Sequence, residues 1–114
     1  MDRPVILFAS DPALLSALRF SLTLEGFDVR GNTERPTGPM CLIIDQGFRS
    51  DGLAWLASLR ADGNASPAIL LVTHPDRTVR ASAAALGATL IEKPLTGDDL
   101  SDALTDILTH HTAS

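Results

Sequence analysis

Cysteine is nearly absent from this 114-residue sequence, and tyrosine is absent altogether. A lone cysteine, Cys41, cannot form an internal disulfide, which excludes a disulfide-stapled scaffold and fits a reducing compartment. No apolar run approaches the roughly 18 to 20 residues that a membrane-spanning helix needs. The N-terminal residues lack the basic segment and the long apolar core of a signal peptide. We therefore expect a cytoplasmic protein without a membrane span.

Basic charge is also scarce, because nine basic residues face fourteen acidic ones and the formal net charge is -5. General binding of nucleic acid requires a basic face, so we expect no nucleic-acid partner. Lys93 is the only lysine of the chain. The length suits one domain, which we place at residues 1–114.

What the chain does contain is an alternation of apolar runs with amphipathic segments. Apolar runs predict strands at residues 4–9, 40–44, 68–72 and 88–92, and the short segment 27–30 predicts a further one, which makes five. Helical spacing of apolar residues predicts helices that begin at Asp11, after the loop 46–50, at Asp76, and at Thr96 or Asp98. Glycines predict the ends of the first three helices, at Gly26, near Gly63 and at Gly87. This alternation is typical of an α/β fold with a doubly wound, five-stranded parallel sheet that helices cover on both faces.

The segment between the second and third strands departs from this pattern. Residues 31–39 contain two glycines and two prolines, which predicts no regular helix there. The second helix of the fold is therefore expected to be shortened or missing. Its loss should uncover apolar sheet or the flank of the next helix, and exposed apolar patches often mark partner sites.

Polar residues stand where four of the predicted strands end: Ser10 and Asp11, Asp45, Thr73 and Lys93. The carboxyl ends of parallel strands share one edge, where ligands and chemistry gather in such sheets. Asp45 alone has two interpretations. It could simply open a solvated loop, or it could be a carboxylate held at the edge of the sheet for chemistry. The convergence of the other polar residues on the same edge favours the second interpretation.

In these features the chain resembles, over nearly all of its length, the receiver domain of bacterial response regulators. Asp45 matches the phospho-accepting aspartate, Thr73 the hydroxyl residue that contacts the phosphoryl group, and Lys93, followed by Pro94, the lysine that pairs with the acyl phosphate. The resemblance implies a flavodoxin-like sheet of order 2-1-3-4-5 and a role in two-component phosphorelay signalling. It also implies a sensor histidine kinase or another signalling protein as partner, and no enzymatic activity of the chain itself.

The chain differs from the family at the positions that hold Mg²⁺. Family members usually end the first strand with two acids, and those positions fall on Ala9 and Ser10. Mg²⁺ prefers oxygen ligands that include one or two carboxylates. Only Asp45 and the Gly47 carbonyl remain as ligands, so we predict a weak or absent Mg²⁺ site. The aromatic switch position of the family is occupied by Leu90.

Two functions therefore stay open. The first is an atypical receiver that accepts a phosphoryl group on Asp45. The second is a pseudo-receiver that acts as a phosphorylation-independent protein-interaction module, which the loss of the acids at Ala9 and Ser10 favours.

The face that the family forms with its fourth helix, fifth strand and fifth helix is predicted to be a surface for a partner protein or for a homodimer. Opposite charges can pair there across a two-fold axis. The candidates are Arg77 and Arg80 on one helix and Asp98, Asp99, Asp102 and Asp106 on the other.

Overall fold

The computed structural model describes residues 4–31, 40–93 and 99–112 of the chain. The described strands are β1 (Pro4–Phe8), β2 (Asp28–Gly31), β3 (Cys41–Asp45), β4 (Ala68–Val72) and β5 (Ala88–Glu92). The described helices are α1 (Pro12–Leu24), α2 (Gly52–Ala61), α3 (Arg77–Ala85) and α4 (Asp99–Thr112), and a 3-10 turn at Phe48–Ser50 precedes α2. Every predicted strand is present, and the first three have bounds that differ by one residue from the prediction.

The strands form one sheet in the order β2-β1-β3-β4-β5, and each neighbouring pair is parallel. Val5 of β1 lies opposite Cys41 of β3, and Asp45 at the end of β3 lies opposite Leu71 of β4. The predicted flavodoxin-like order is therefore confirmed. Because all five strands point the same way, their carboxyl ends lie along a single edge of the sheet.

Aspartate side chains begin three of the helices. Asp11, Asp51 and Asp76 are the N-caps of α1, α2 and α3, and each accepts a hydrogen bond from a backbone N–H of the first turn, at 2.9, 3.1 and 2.8 Å. Such caps satisfy donors that have no partner within the helix. The caps predicted at Asp11 and Asp76 are confirmed. The predicted starts of the last helix at Thr96 or Asp98 lie outside the described residues.

Helices pack on both faces of the sheet, and the two faces differ in their side chains. The α1–α4 face consists of the buried residues Val5, Leu7, Leu18, Leu22, Phe27, Cys41, Ile43, Ile69, Leu71, Leu100 and Leu104. The α2–α3 face consists of the buried residues Ile6, Phe8, Met40, Leu42, Ile44, Phe48, Trp55, Leu56, Leu59, Ala68, Leu70, Val72 and Ala83. These two layers place the sheet at the centre of the domain.

Three aromatic rings close the α2–α3 face beside the loop that follows β3. The ring centroids of Phe8 and Phe48 lie 5.2 Å apart, and that of Trp55 lies 5.4 Å from Phe8 and 5.8 Å from Phe48. All three side chains are at least nine-tenths buried. Tilted and edge-on ring pairs at these distances are favourable beyond the area that they bury.

This packing corrects the expectation that apolar sheet or the flank of α2 would be uncovered. The sheet residues of the α2–α3 face are buried, and so are Trp55, Leu56 and Leu59 of α2. Within the described residues, the large apolar side chains that are exposed are Phe20 and Leu24, both on α1 and on the other side of the sheet. The expectation of a missing helix at residues 31–39 falls almost wholly outside the described residues.

No helix within residues 4–31, 40–93 and 99–112 combines the length and the apolar character that a membrane span requires.

Candidate functional site

The sheet brings the polar strand ends of the sequence to one edge. Asp45 is the last residue of β3. Lys93 directly follows β5, where its backbone N–H donates to the Val72 carbonyl at 2.8 Å. Thr73 directly follows β4, and Ser10 lies two residues beyond β1. The edge predicted from parallel strand order is therefore the place where these residues meet.

Asp45 and Lys93 form an ion pair at this edge. The Lys93 ammonium donates to Oδ1 of Asp45 at 2.6 Å. Asp45 is the buried charged residue of the described chain, with 7% of its surface exposed, whereas a quarter of the Lys93 side chain remains in solvent. A buried carboxylate is costly unless it is paired and hydrogen-bonded. The single lysine of the chain thus compensates the buried carboxylate of Asp45.

The second oxygen of Asp45 is held by the loop that follows β3. The backbone N–H of Gly47 donates to Oδ2 of Asp45 at 3.0 Å. A Cβ atom on residue 47 would lie 3.0 Å from that same oxygen, which is closer than such contacts normally come. Glycine at position 47 therefore lets the backbone approach the carboxylate, and both carboxylate oxygens have partners.

The loop continues into α2 through a close backbone contact. Gly52 donates its N–H to the Gln46 carbonyl at 2.9 Å, and Leu53 donates to the Gln46 side-chain oxygen at 3.0 Å. A Cβ atom on Gly52 would lie only 2.6 Å from the Asp45 carbonyl oxygen. Sequence reasoning missed Gln46 and Gly52, because an Asp-Gly pair indicates a turn and carries no signal of what packs against it.

Ser10 reaches across from β1 to the same loop. Its hydroxyl accepts a hydrogen bond from the Arg49 backbone N–H at 3.2 Å and points to the Gly47 carbonyl at a longer 3.5 Å. From the sequence, Ser10 was expected only to lie at the end of the first strand and to replace an acid there. The structure shows that it contacts the carbonyl named as a metal ligand.

The residues present do not fit a Mg²⁺ ion. Ala9 and Ser10 supply no carboxylate, and Asp11 uses its side chain to cap α1. Oδ1 of Asp45 faces an ammonium group, and the Gly47 carbonyl faces the Ser10 hydroxyl. Across residues 4–31, 40–93 and 99–112, no group of three or more His, Cys, Asp or Glu side chains is arranged to hold a metal. An ion that requires near-octahedral oxygen ligands has too few of them here.

Thr73 and Leu90 are positioned differently from the ion pair. Thr73 is exposed beyond β4, and no hydrogen bond joins it to Asp45 or Lys93 in the part of the chain that the structure describes. Leu90 is half-buried in β5 and packs against the α2–α3 face. The two residues lie near the edge without contributing to the bonds on Asp45.

The fold is similar to that of solved response-regulator proteins. The chain superposes on a response regulator receiver domain protein (CheY-like) from Methanospirillum hungatei JF-1 with a TM-score of 0.88 and 15% identity, covering 99% of this chain and 98% of that one. The receiver domain of the Francisella response regulator 1452 gives a TM-score of 0.86 and 16% identity, covering 96% and 99%. A response regulator protein from Burkholderia pseudomallei, described with a phosphorylated aspartic acid, a calcium ion and citrate, gives 0.78 and 17%, covering 98% and 72%.

No protein-family model and no curated protein sequence matches the chain. The structural likeness establishes the fold alone at these levels of identity. The chain therefore has the fold of a response-regulator receiver domain, and its function is argued from its own residues.

Proposed function

We propose that residues 1–114 form a single atypical receiver domain in two-component phosphorelay signalling, with Asp45 as the phospho-acceptor. The observation that carries the proposal is the ion pair of 2.6 Å between Lys93 and the nine-tenths buried Asp45. An ordinary carboxylate at the end of a strand would be solvated. This one is held at the carboxyl edge of a parallel sheet, beside the single lysine of the chain.

The proposed reaction transfers a phosphoryl group from a phosphohistidine to Asp45. A carboxylate oxygen attacks phosphorus, the bond between phosphorus and the imidazole nitrogen breaks, and the leaving imidazole takes up a proton. The product is an aspartyl phosphate. The protein contributes mainly position and charge in such transfers.

Three groups of the chain serve this reaction. The Gly47 N–H holds one carboxylate oxygen of Asp45 and so orients the other. Lys93 shifts from the carboxylate to the phosphoryl oxygens, where its ammonium offsets the charge that arrives. Thr73, exposed at the end of β4, turns its hydroxyl to the same oxygens once they are present. The Burkholderia pseudomallei neighbour carries a phosphorylated aspartic acid and a calcium ion, and only the phosphorylated aspartate is proposed for this chain.

The test is phosphorylation by a small phosphodonor such as acetyl phosphate, followed by intact mass. We expect the parent protein to gain one phosphoryl group and Asp45→Asn to gain none. Lys93→Arg should keep part of the labelling, whereas Lys93→Met should lose most of it. Labelling should persist in EDTA, because the residues at the site do not fit a metal. Circular dichroism of each variant separates loss of chemistry from loss of fold.

The second candidate is a pseudo-receiver that works as a phosphorylation-independent interaction module. The absence of carboxylates at Ala9 and Ser10, together with the engagement of both Asp45 oxygens, favours it. If neither a small phosphodonor nor a phosphorylated histidine kinase labels folded parent protein, with or without Mg²⁺, this function replaces the first.

Either function assigns a regulatory rather than an enzymatic role, in the cytoplasm, with a sensor histidine kinase or another signalling protein as partner.

A homodimer through α3, β5 and α4 stays a prediction. Arg80 of α3 already lies 3.7 Å from Glu92 of β5 within one chain, with both side chains more than half exposed. Pairs this exposed contribute little energy, so a dimer here must also bury apolar surface. Sedimentation at increasing concentration tests it.

A further inference from the structure

The loop between β3 and α2 has an unusual backbone for its sequence. Arg49 has φ 49° and ψ 34°, and the next residue, Ser50, has φ 70°. Residues other than glycine seldom adopt positive φ, because Cβ then crowds the backbone carbonyl. Two such residues in succession persist only where the surrounding contacts hold them.

Two sets of contacts hold this loop. The Arg49 guanidinium lies over the rings of Trp55 and Phe48, 4.8 and 5.4 Å from their centroids. The Arg49 backbone N–H donates to Ser10 Oγ, beyond the end of β1, at 3.2 Å. Ser10 is 39 residues away in sequence from Arg49, so this bond ties the loop to a different strand.

The same loop carries the donor that holds Asp45. Gly47 donates its N–H to Oδ2 of Asp45 and presents its carbonyl to the Ser10 hydroxyl. Ser10 is therefore joined through the Arg49 N–H to the loop that holds Asp45, and Asp45 in turn is bonded to Lys93. These bonds link the ends of β1, β3 and β5 without a metal ion.

We propose that Ser10 is a positioning residue, whose hydroxyl ties residues 47–49 to β1 and thereby keeps the Gly47 N–H on Asp45 without a divalent cation. In place of carboxylates joined to the loop through an ion, the chain has one hydroxyl that bonds the loop directly. The geometry of Asp45 is then the same at any concentration of Mg²⁺. This inference rests on the contacts of the loop and does not require that Asp45 accept a phosphoryl group.

The test compares amide hydrogen exchange in the parent, Ser10→Ala and Ser10→Thr. In Ser10→Ala we expect exchange at Arg49 to be about three- to tenfold faster, the factor that corresponds to one net hydrogen bond, with a smaller increase at Gly47. The amides of Gly52 and Leu53 bond to Gln46 and should not change, so they serve as controls within the same molecule. Ser10→Thr keeps the hydroxyl and should restore slow exchange at Arg49.

Two further measurements separate a local tie from a general loss of stability. Trp55 is the only tryptophan of the chain and lies under Arg49, so its fluorescence reports the position of the loop. We expect its emission to shift in Ser10→Ala and to stay unchanged in Ser16→Ala, which alters an exposed serine of α1. In the parent protein, neither Mg²⁺ nor EDTA should change this emission or the exchange at Arg49.

The proposal is overturned by any of three results. They are unchanged Arg49 exchange in Ser10→Ala, equal acceleration at Arg49, Gly52 and Leu53, and a response of the parent loop to Mg²⁺. None of these results depends on phosphorylation. A failure of the phosphodonor experiment therefore leaves this inference standing, and the reverse also holds.

Discussion

On the α1–α4 face, helices of 13 and 14 residues cover the sheet, and the buried side chains there are aliphatic except for Phe27 and Cys41. On the α2–α3 face the helices have only 10 and 9 residues, and the rings of Phe8, Phe48 and Trp55 pack together beside them. Bulky rings bury more area for each residue than leucine does. The comparison teaches that a face with shorter helices can be closed by aromatic side chains, one of which comes from a loop.

The Asp45 site at the carboxyl edge of the sheet shares a loop with the α2–α3 face. The loop that supplies Phe48 to the α2–α3 face also supplies the Gly47 N–H to Asp45. Packing of that face and geometry of the site therefore depend on the same residues 46–52. The α1–α4 face meets Asp45 through apolar side chains instead, because Leu7, Leu18, Ile43 and Leu71 line a small void with it, whereas the hydrogen bonds of Asp45 come from Gly47 and Lys93.

Removal of the tryptophan should have the largest effect. Trp55→Ala is expected to lower the free energy of unfolding by about 4 kcal/mol, because it leaves a cavity between two other rings. Leu104→Ala on the α1–α4 face should cost about 3 kcal/mol. Urea denaturation followed by far-ultraviolet circular dichroism measures both. If Trp55→Ala lowers the free energy of unfolding by less than Leu104→Ala does, the aromatic rings are not what closes the α2–α3 face.

A methyl group at the start of α2 should come next. Gly52→Ala is expected to cost about 2 to 3 kcal/mol, since the new Cβ would meet the Asp45 carbonyl oxygen at 2.6 Å and backbone cannot readily move aside. Helix propensity alone would predict a gain of about 1 kcal/mol for the same change. The sign of the measured change in unfolding free energy thus decides whether close packing or propensity dominates.

The matched control for this variant lies on the same helix. Ala57 is exposed in α2, and Ala57→Gly should cost about 1 kcal/mol through propensity alone. A stabilised Gly52→Ala protein would show that α2 does not lie as close to β3 as the structure has it.

The pH dependence of stability tests how dry the α1–α4 face is. Burial raises the pKa of the Cys41 thiol from 9.0 to about 12. The unfolded thiol ionises from about pH 9 upward while the folded one stays neutral, so the unfolded state gains stability as the pH rises. The contribution of Cys41 to folding is complete below pH 9, and about 1 kcal/mol should be lost per pH unit between pH 9 and 12.

Comparison with Cys41→Ala isolates this contribution. The other groups that titrate at alkaline pH are common to both proteins, and the chain has no tyrosine. The stability difference between parent and variant should shrink as the pH rises from 9 to 11. A difference that stays constant over this range would mean that water reaches Cys41 and that the α1–α4 face is less tightly closed.

The smallest effect is expected at the surface of the aromatic cluster. Arg49→Ala should cost about 0.5 to 1 kcal/mol, the usual size of an exposed cation–π contact. Arg49→Lys should keep part of that stability. Arg19→Ala changes an exposed arginine of α1 and should cost close to nothing. Equal costs at Arg49 and Arg19 would contradict a stabilising role for the guanidinium over Trp55.

Much of the architecture follows from local patterns in the sequence. Apolar runs of five to six residues predicted four of the five strands, and aspartates before helical spacing predicted the caps of α1 and α3. These features depend on neighbours a few residues apart, which is the range over which backbone propensity and capping act. The polar residues at the strand ends likewise required only the parallel order of the sheet to come together.

The contacts that define the site were decided by the tertiary structure. The bond between Asp45 and Lys93 spans 48 residues of sequence, and that between Ser10 and Arg49 spans 39. Nothing in the local pattern indicates that Ser10 bonds the loop, or that Gly52 must lack a side chain because of Asp45. Such distances follow from strand register and from how closely a helix approaches the sheet. The sequence by itself therefore determined the strands and the polar residues at or just beyond their ends, and only the packed sheet decided which of their atoms meet.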